Sequence, residues 1–273
     1  MKKNKKKIKY NSSRRTKFIV FSSIIFLCLS ILLVYNVSSL SGKMHISSRV
    51  SQLNNYKGLG SGYKTAGWLY LPHTNIDYPI VYSNDDTLEY PVEVVKYGWI
   101  ANNQKKSEDM LFINGHNVFN LSSNPIRKSS DFKRFEELMN YVYYDFAKEH
   151  QYFQYTRNGK DEIYKIFGVF FVKAVDINYF YNEGKISNDL KQEFLDYAFN
   201  NSLFHYDVDV SAKDQILSLV TCTRFTDKQN GTDFIVVGRL LRDNEKMNDY
   251  KIVTNSEVYN KIKKIMKGVD NNE

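Results

Sequence analysis

The chain has 273 residues, of which 42% are hydrophobic and 15% aromatic, and this composition excludes a protein that is disordered throughout. Its formal net charge of +8 comes from residues 1–17, which hold nine Lys and Arg and no acid. Residues 18–273 hold 29 basic and 30 acidic groups. Because this larger part is nearly neutral, a nucleic-acid-binding face on it is not expected.

An uncharged stretch follows the basic run. Residues 18–35 (FIVFSSIIFLCLSILLVY) would span about 27 Å as a helix, close to the thickness of a bilayer core. Because Lys and Arg precede it, we expect a single-pass membrane anchor over residues 18–37, with a cytoplasmic basic tail over residues 1–17. A cleaved secretory signal is the alternative, and both interpretations place residues 40–273 outside the cell.

The cysteine and histidine positions limit the chemistry. Cys28 lies in the apolar stretch, so Cys222 is the one thiol of the exported part, in a compartment that usually oxidises thiols. The five histidines are never three or four residues apart. Neither a metal site nor a cofactor is therefore expected.

The remaining elements follow in chain order. Residues 38–65 are rich in Ser, Gly and Asn and predict a stalk with a short helix near residues 47–56. Short apolar runs then predict strands at 67–71, 76–82, 110–113, 152–156, 162–174, 215–221 and 234–241. The dipeptide Asn158-Gly159 predicts a hairpin between two of them. A mostly β domain with added helices, either a closed barrel or a sandwich, is expected over residues 66–243.

Two helices are predicted among these strands and a third after them. The first covers residues 130–139, with an apolar face made of Phe132, Phe135, Leu138 and Met139. The second covers residues 187–203 with Ser187 as its N-cap, and its expected core residues are Leu190, Phe194, Ala198 and Phe199. Residues 244–273 form a polar C-terminal tail with a possible basic amphipathic helix over residues 256–267.

Two polar residues stand where apolar strands end. Cys222 closes the run SLVTC before a polar stretch, where a substrate can reach a thiol. The alternative is a buried core cysteine, which is common for free thiols. His116 stands in FINGHN, at a similar break, and is a candidate acid/base partner or a plain surface histidine.

Taken together, these segments resemble the motifs of the sortase family. FINGHN and LSLVTC lie about a hundred residues apart, after an apparent anchor and stalk, like the Tyr-Gly-His-Asn and Thr-Leu-x-Thr-Cys motifs of sortases. Residues 67–81 (GWLYLPHTNIDYPIV) are similar to the opening strands of the class B branch. The resemblance covers roughly residues 66–241.

The resemblance implies a closed eight-stranded sortase-type β-barrel that acts as a cysteine transpeptidase on the outer face of a Gram-positive membrane. In such enzymes a thiol attacks the carbonyl after Thr in a sorting motif, and an amine resolves the acyl-enzyme. Carried over, Cys222 is the nucleophile and His116 the acid/base. The implied partners are sorting-signal-bearing surface proteins or pilins, a peptidoglycan cross-bridge amine or pilin Lys, and membrane lipid through the anchor.

The family's Arg does not carry over directly. It opens the strand after the cysteine loop, where this chain has Asp233 before FIVVG. Arg224 follows Cys222 by two residues and would share its strand face about 7 Å away, so we predict that Arg224 replaces it and that Asp233 orients it. Thr221 and Asp233 are also predicted to bind the substrate.

Several alternatives stay open from the sequence alone. Arg224 and Asp233 form only a surface ion pair in one alternative, and Arg239 supplies the guanidinium in another. For the whole chain, the alternatives are a sortase-fold hydrolase, an inactive scaffold, and a non-enzymatic exported binding domain.

Overall fold

A computed structural model describes residues 46–57, 64–83, 98–101, 109–117, 135–173, 176–177, 180, 186–223 and 231–270. They belong to the second of two compact units, His45–Glu273. Within these described ranges, no helix is long and apolar enough to cross a membrane. The predicted anchor over residues 18–37 and the predicted functional Arg224 lie outside the described residues.

Eight strands close into a barrel in the order β1-β2-β3-β4-β8-β9-β6-β5, and β1 pairs with β5 to complete it. The barrel strands are β1 Lys64–Tyr70, β2 Asp77–Ser83, β3 Gly98–Ala101, β4 Met110–Gly115, β5 Tyr152–Arg157, β6 Lys160–Lys173, β8 Ile216–Thr223 and β9 Thr232–Leu240. The two pairs β2·β3 and β4·β8 are parallel, and the other neighbours are antiparallel. The closed barrel thus confirms one of the two architectures expected from the sequence.

The hairpin between β5 and β6 forms at the predicted turn. Asn158 and Gly159 both have positive φ, at 51° and 72°. Two consecutive left-handed residues are what a tight two-residue hairpin requires, because their twist matches that of the paired strands. The turn fixes a register in which Arg157 pairs with Lys160.

The helix predicted after His116 differs from expectation. Residues 130–134, with the predicted Phe132, lie outside the described residues, and the described part is a 3-10 helix, η1, Phe135–Val142. All of its side chains are buried, including the predicted Phe135, Leu138 and Met139. Its first N–H is donated to the His116 carbonyl at 3.0 Å. Packing on every side therefore sets its geometry, which an amphipathic helical pattern does not predict.

The helix before the cysteine strand, α3 Asn188–Asn201, matches the prediction except on one side. The Ser187 hydroxyl accepts a hydrogen bond from Leu190 N at 3.1 Å and caps it as expected. Phe199 is wrong as a core residue because it is 37% exposed, whereas Lys191 is buried. The buried stripe of residues 191, 194, 195 and 198 is rotated away from Phe199.

Residues after the barrel are packed on it. Strand β10 Ile252–Thr254 pairs with β7 Phe204–Tyr206, and α4 Ser256–Asp270 buries Ile262 and Met266. The Tyr250 hydroxyl lies 2.7 Å from the Gln151 carbonyl oxygen. The possible helix of the polar tail thus forms and completes the hydrophobic core.

The structure also has two short helices, α1 Val50–Asn55 and α2 Tyr144–Glu149. Helix α1 lies in the segment predicted as a stalk. The residue before it, Arg49, bonds both oxygens of Asp77 on β2 at 2.8 Å and stacks over the Tyr70 ring on β1. Helix α1 is therefore fastened to the barrel.

Candidate active site

The register of two parallel strands places His116 and Cys222 next to each other near the ends of those strands. The last pair of β4 and β8 is Gly115 with Thr221, and each candidate residue is the next one along its strand. Neighbouring strands are about 4.8 Å apart, so the topology brings together two residues that are a hundred positions apart in sequence. Cys222 is exposed, so the alternative of a buried core cysteine is wrong.

Asn117 connects the end of β4 to Cys222 on β8. Its side-chain amide donates to the Cys222 carbonyl at 3.1 Å, and its own backbone carbonyl lies 3.7 Å from Cys222 Sγ, within reach of a thiol hydrogen bond. Asn117 is buried. The two contacts hold the thiol-bearing residue against the end of β4, next to His116.

Thr221 also ties the two strands. Its buried hydroxyl donates to the Gly115 carbonyl at 2.7 Å. This contact gives Thr221 a structural role in aligning β4 with β8. Its contact with a substrate stays a prediction.

The segment carrying His116 is backed by an aromatic layer. A Cβ at Gly115 would overlap the ring of Phe135, so this position accepts only glycine while Phe135 is in place. Phe135 in turn packs on Tyr78, with ring centroids 6.1 Å apart. Burial, together with the negative charges of Glu136 and Glu137, raises the pKa of Tyr78 well above its ordinary value, so Tyr78 is a neutral support behind the site.

The indole of Trp99 packs against the imidazole of His116. The two ring centroids are 4.7 Å apart and the planes are tilted by 41°. Sequence reasoning missed Trp99 because β3 has four residues and no periodic pattern. It also missed the part played by Asn117, although that residue belongs to the quoted FINGHN segment.

Asp233 lies directly opposite Cys222. The antiparallel register of β8 and β9 pairs the two residues, and the described pairing ends at Thr223 with Thr232. The cysteine strand and the FIVVG strand thus form the antiparallel pair that the predicted approach of Asp233 to Arg224 requires. Arg224 follows Thr223 immediately but lies outside the described residues, so its contact with Asp233 stays a prediction.

The Arg239 side chain is held in an ion pair far from the Cys222 thiol. Arg239 pairs with Ile216, six residues before Cys222, which is about 20 Å along β8. Its guanidinium is buried, bonds both Glu245 oxygens at 2.6 and 2.8 Å, and donates to the Asp209 carbonyl at 2.7 Å. The alternative that Arg239 supplies the catalytic guanidinium is therefore not supported.

A closed β-barrel with an exposed thiol beside a histidine at one strand edge is the arrangement of a cysteine acyl-transfer enzyme. The chain belongs to the sortase family: the family model described as the Sortase domain matches residues 69–241. It is class B-like and is a sortase-type cysteine transpeptidase.

Individual relatives agree with this assignment. Sortase B of Listeria monocytogenes is 28% identical in an alignment 183 residues long, which covers 64% of this chain and 69% of the relative. The sortase B structure from Clostridium perfringens has a TM-score of 0.53 at 23% identity and covers 65% of this chain and 94% of its own. Sortase B from the type II pilus of Streptococcus pneumoniae has a TM-score of 0.50 at 26% identity, with 64% and 91% covered.

Proposed function

We propose that the chain is an extracellular transpeptidase that cleaves a sorting motif after Thr and transfers the protein to an amine. The observation that carries this proposal is the shared strand edge, with the exposed Cys222 next to His116. The proposed donors are sorting-signal-bearing surface proteins or pilins. The proposed acceptors are a peptidoglycan cross-bridge amine or a pilin Lys.

In the first half-reaction, the Cys222 thiolate attacks the Thr carbonyl carbon and forms a C–S bond. The tetrahedral oxyanion collapses, the peptide C–N bond breaks, and the His116 imidazolium gives its proton to the leaving amine. A thioester remains on Cys222. The Asn117 side-chain amide, which donates to the Cys222 backbone carbonyl, holds this residue in place for the attack.

In the second half-reaction, the acceptor amine attacks the thioester carbonyl. Neutral His116 removes the proton of the amine, the C–S bond breaks, and the thiolate is restored. The guanidinium of Arg224 is the proposed partner of both oxyanions, and Asp233, opposite Cys222, is its proposed orienting carboxylate.

The proposed location follows from the sequence. The uncharged residues 18–35 after nine basic residues support a membrane anchor with the N-terminus in the cytoplasm and the barrel outside. An alkaline-phosphatase fusion after Glu273 tests the orientation, because phosphatase is active only when exported. Activity of the fusion supports the proposal, and an inactive, fully expressed fusion contradicts it.

Transfer and hydrolysis are separated by one assay. The full chain in detergent is incubated with a library of peptides that carry an internal Thr, with triglycine or a Lys peptide as acceptor. A ligated product seen by mass spectrometry, absent with Cys222→Ala, supports transfer. Cleavage to free acid without ligation indicates a hydrolase, and no thioester adduct on Cys222 indicates an inactive scaffold.

A further inference from the structure

The contact between Trp99 and His116 is set by strand register. Trp99 on β3 pairs with Asn114 on β4, and His116 lies two residues further on, at the diagonal position. Diagonal neighbours are about 7–8 Å apart between backbones, within reach of an aromatic side chain. Strand β3 of the barrel therefore positions the Trp99 indole beside the His116 imidazole.

The backbone around Trp99 is tightly constrained. A Cβ on the preceding Gly98 would come within 2.9 Å of the Ile80 side chain and 3.0 Å of the Asn114 carbonyl oxygen. Strand β3 thus approaches β4 closely, and Trp99 is also paired with Val81 on its other side. Pairing with strands on both sides thus fixes the backbone position from which the indole projects.

An indole next to an imidazole acts on its charge. A cation within about 6 Å of the centroid of a Trp ring is attracted by the ring's negative face, and the 4.7 Å separation lies inside that limit. The ionisable groups on the described elements next to His116 include Cys222 on β8, Asp233 on β9, Glu136 and Glu137 on η1, and Tyr78 behind Phe135. Of these, Glu137 accepts a hydrogen bond from Asn75 N.

We propose that Trp99 is a positioning residue of the transfer reaction: its indole holds the His116 ring at the strand edge and favours the protonated imidazole. This inference rests on the proposed role of His116 as the acid that protonates the leaving amine. When the His116 ring is held in one orientation, its N–H is directed at the leaving amine in the first half-reaction. The same nitrogen then accepts the proton of the acceptor amine in the second. Trp99 contacts the acid/base and has no proton of its own to transfer in this chemistry.

Histidine proton NMR of the full chain in detergent tests the effect on charge without requiring activity. The His116 resonance is identified by its loss in His116→Gln. In Trp99→Leu, the proton dissociation constant of His116 is expected to rise about two- to fivefold, and in Trp99→Phe by less, since Phe keeps a weaker ring face. Trp68→Leu is the matched control, because Trp68 on β1 bonds Asp77 and should leave this resonance unchanged. An unchanged His116 titration in Trp99→Leu would overturn the proposal.

Fluorescence tests the contact itself. The chain has two tryptophans, so Trp68→Phe leaves Trp99 as its one tryptophan, and excitation at the red edge of the indole band separates its emission from that of the 21 tyrosines. Because a protonated imidazole quenches an indole that it touches, the emission should rise as His116 loses its proton. The pH dependence should disappear when His116→Gln is added. Emission that titrates identically with and without His116 would show that the rings are not in contact.

Turnover separates positioning from folding. In Trp99→Leu, the acid-dependent limb of the transfer rate should move with the NMR titration, while Trp99→Phe should recover most of the wild-type profile. A Trp99→Leu profile that superimposes on wild type would reduce Trp99 to a packing residue and overturn the proposal. If the wild-type chain transfers nothing, the proposed function fails, whereas the two spectroscopic tests still decide whether Trp99 acts on His116.

Discussion

Cys222 on β8 and Asp233 on β9 are directly opposite each other on neighbouring antiparallel strands. Opposite residues of an antiparallel pair point to the same face, so a carboxylate lies beside the thiol. A negative charge there opposes both the thiolate and the oxyanion unless a cation compensates it. Arg224, two residues after Cys222, is the predicted source of that cation.

The first prediction concerns Arg224 as the replacement for the family's Arg, whose position is taken by Asp233 in this chain. Arg224→Ala is expected to lower turnover about 10²–10³-fold, the usual cost of losing one oxyanion donor. Arg224→Asp should be at least as damaging, and the double change Arg224→Asp with Asp233→Arg should regain part of the activity by restoring the guanidinium on the neighbouring strand. Steady-state kinetics on the ligation reaction measures both.

Arg242→Ala is the control for that series. Arg242 is partly exposed and bonds Asp209 and Asp214, outside the proposed site. It should leave turnover close to wild type. Near-normal turnover in Arg224→Ala would remove Arg224 from the mechanism.

The second prediction concerns the support behind His116. Gly115→Ala places a methyl group in the ring of Phe135, so the end of β4 must move. We expect turnover to fall at least about tenfold, since a displacement of about 1 Å can cost about 10²-fold. The double variant Gly115→Ala with Phe135→Leu makes room for the methyl group and should recover part of the loss. If the double variant is no better than the single one, the overlap is not the cause.

The sequence predicted most of the barrel because its strands are long, apolar and bounded by turn residues. Strand β6, with 14 residues, and the Asn158-Gly159 turn are of this kind. It did not predict β3, β7 or β10, which have three or four residues and form because neighbouring strands pair with them. The sequence identified Cys222 and His116 because they stand in recognisable motifs. It missed Trp99 because that residue lies on the short strand β3.

The third prediction concerns the C-terminal helix, which lies after the matched Sortase domain. Met266 on α4 is 5% exposed, whereas Lys263 on the same helix is exposed. Met266→Ala should destabilise the fold by about 2–3 kcal/mol, because it removes buried methylenes and leaves a cavity. Lys263→Ala should change stability by less than about 0.5 kcal/mol. Urea unfolding followed by tyrosine and tryptophan emission measures both, and equal midpoints would contradict the packing of α4 on the core.

The last prediction is a pH dependence of stability. The hydrogen bonds from Arg239 hold the pKa of Glu245 down, to about 2. Because the pKa of this carboxyl is lower in the folded chain than in the unfolded one, its stabilising effect is complete above about pH 5 and is lost as the pH falls towards 2.

Glu245→Gln leaves the buried Arg239 without its carboxylate and should cost about 3 kcal/mol near pH 7. The difference from wild type should shrink below pH 4.5 and close near pH 2, in denaturant titrations at each pH. Glu257→Gln is the control, because its 81% exposed side chain makes only a surface ion pair with Lys261 on α4, and it should differ from wild type by less than about 0.5 kcal/mol at every pH. A difference for Glu245→Gln that stays constant from pH 7 to pH 2 would mean that the ionised pair with Arg239 does not stabilise the fold.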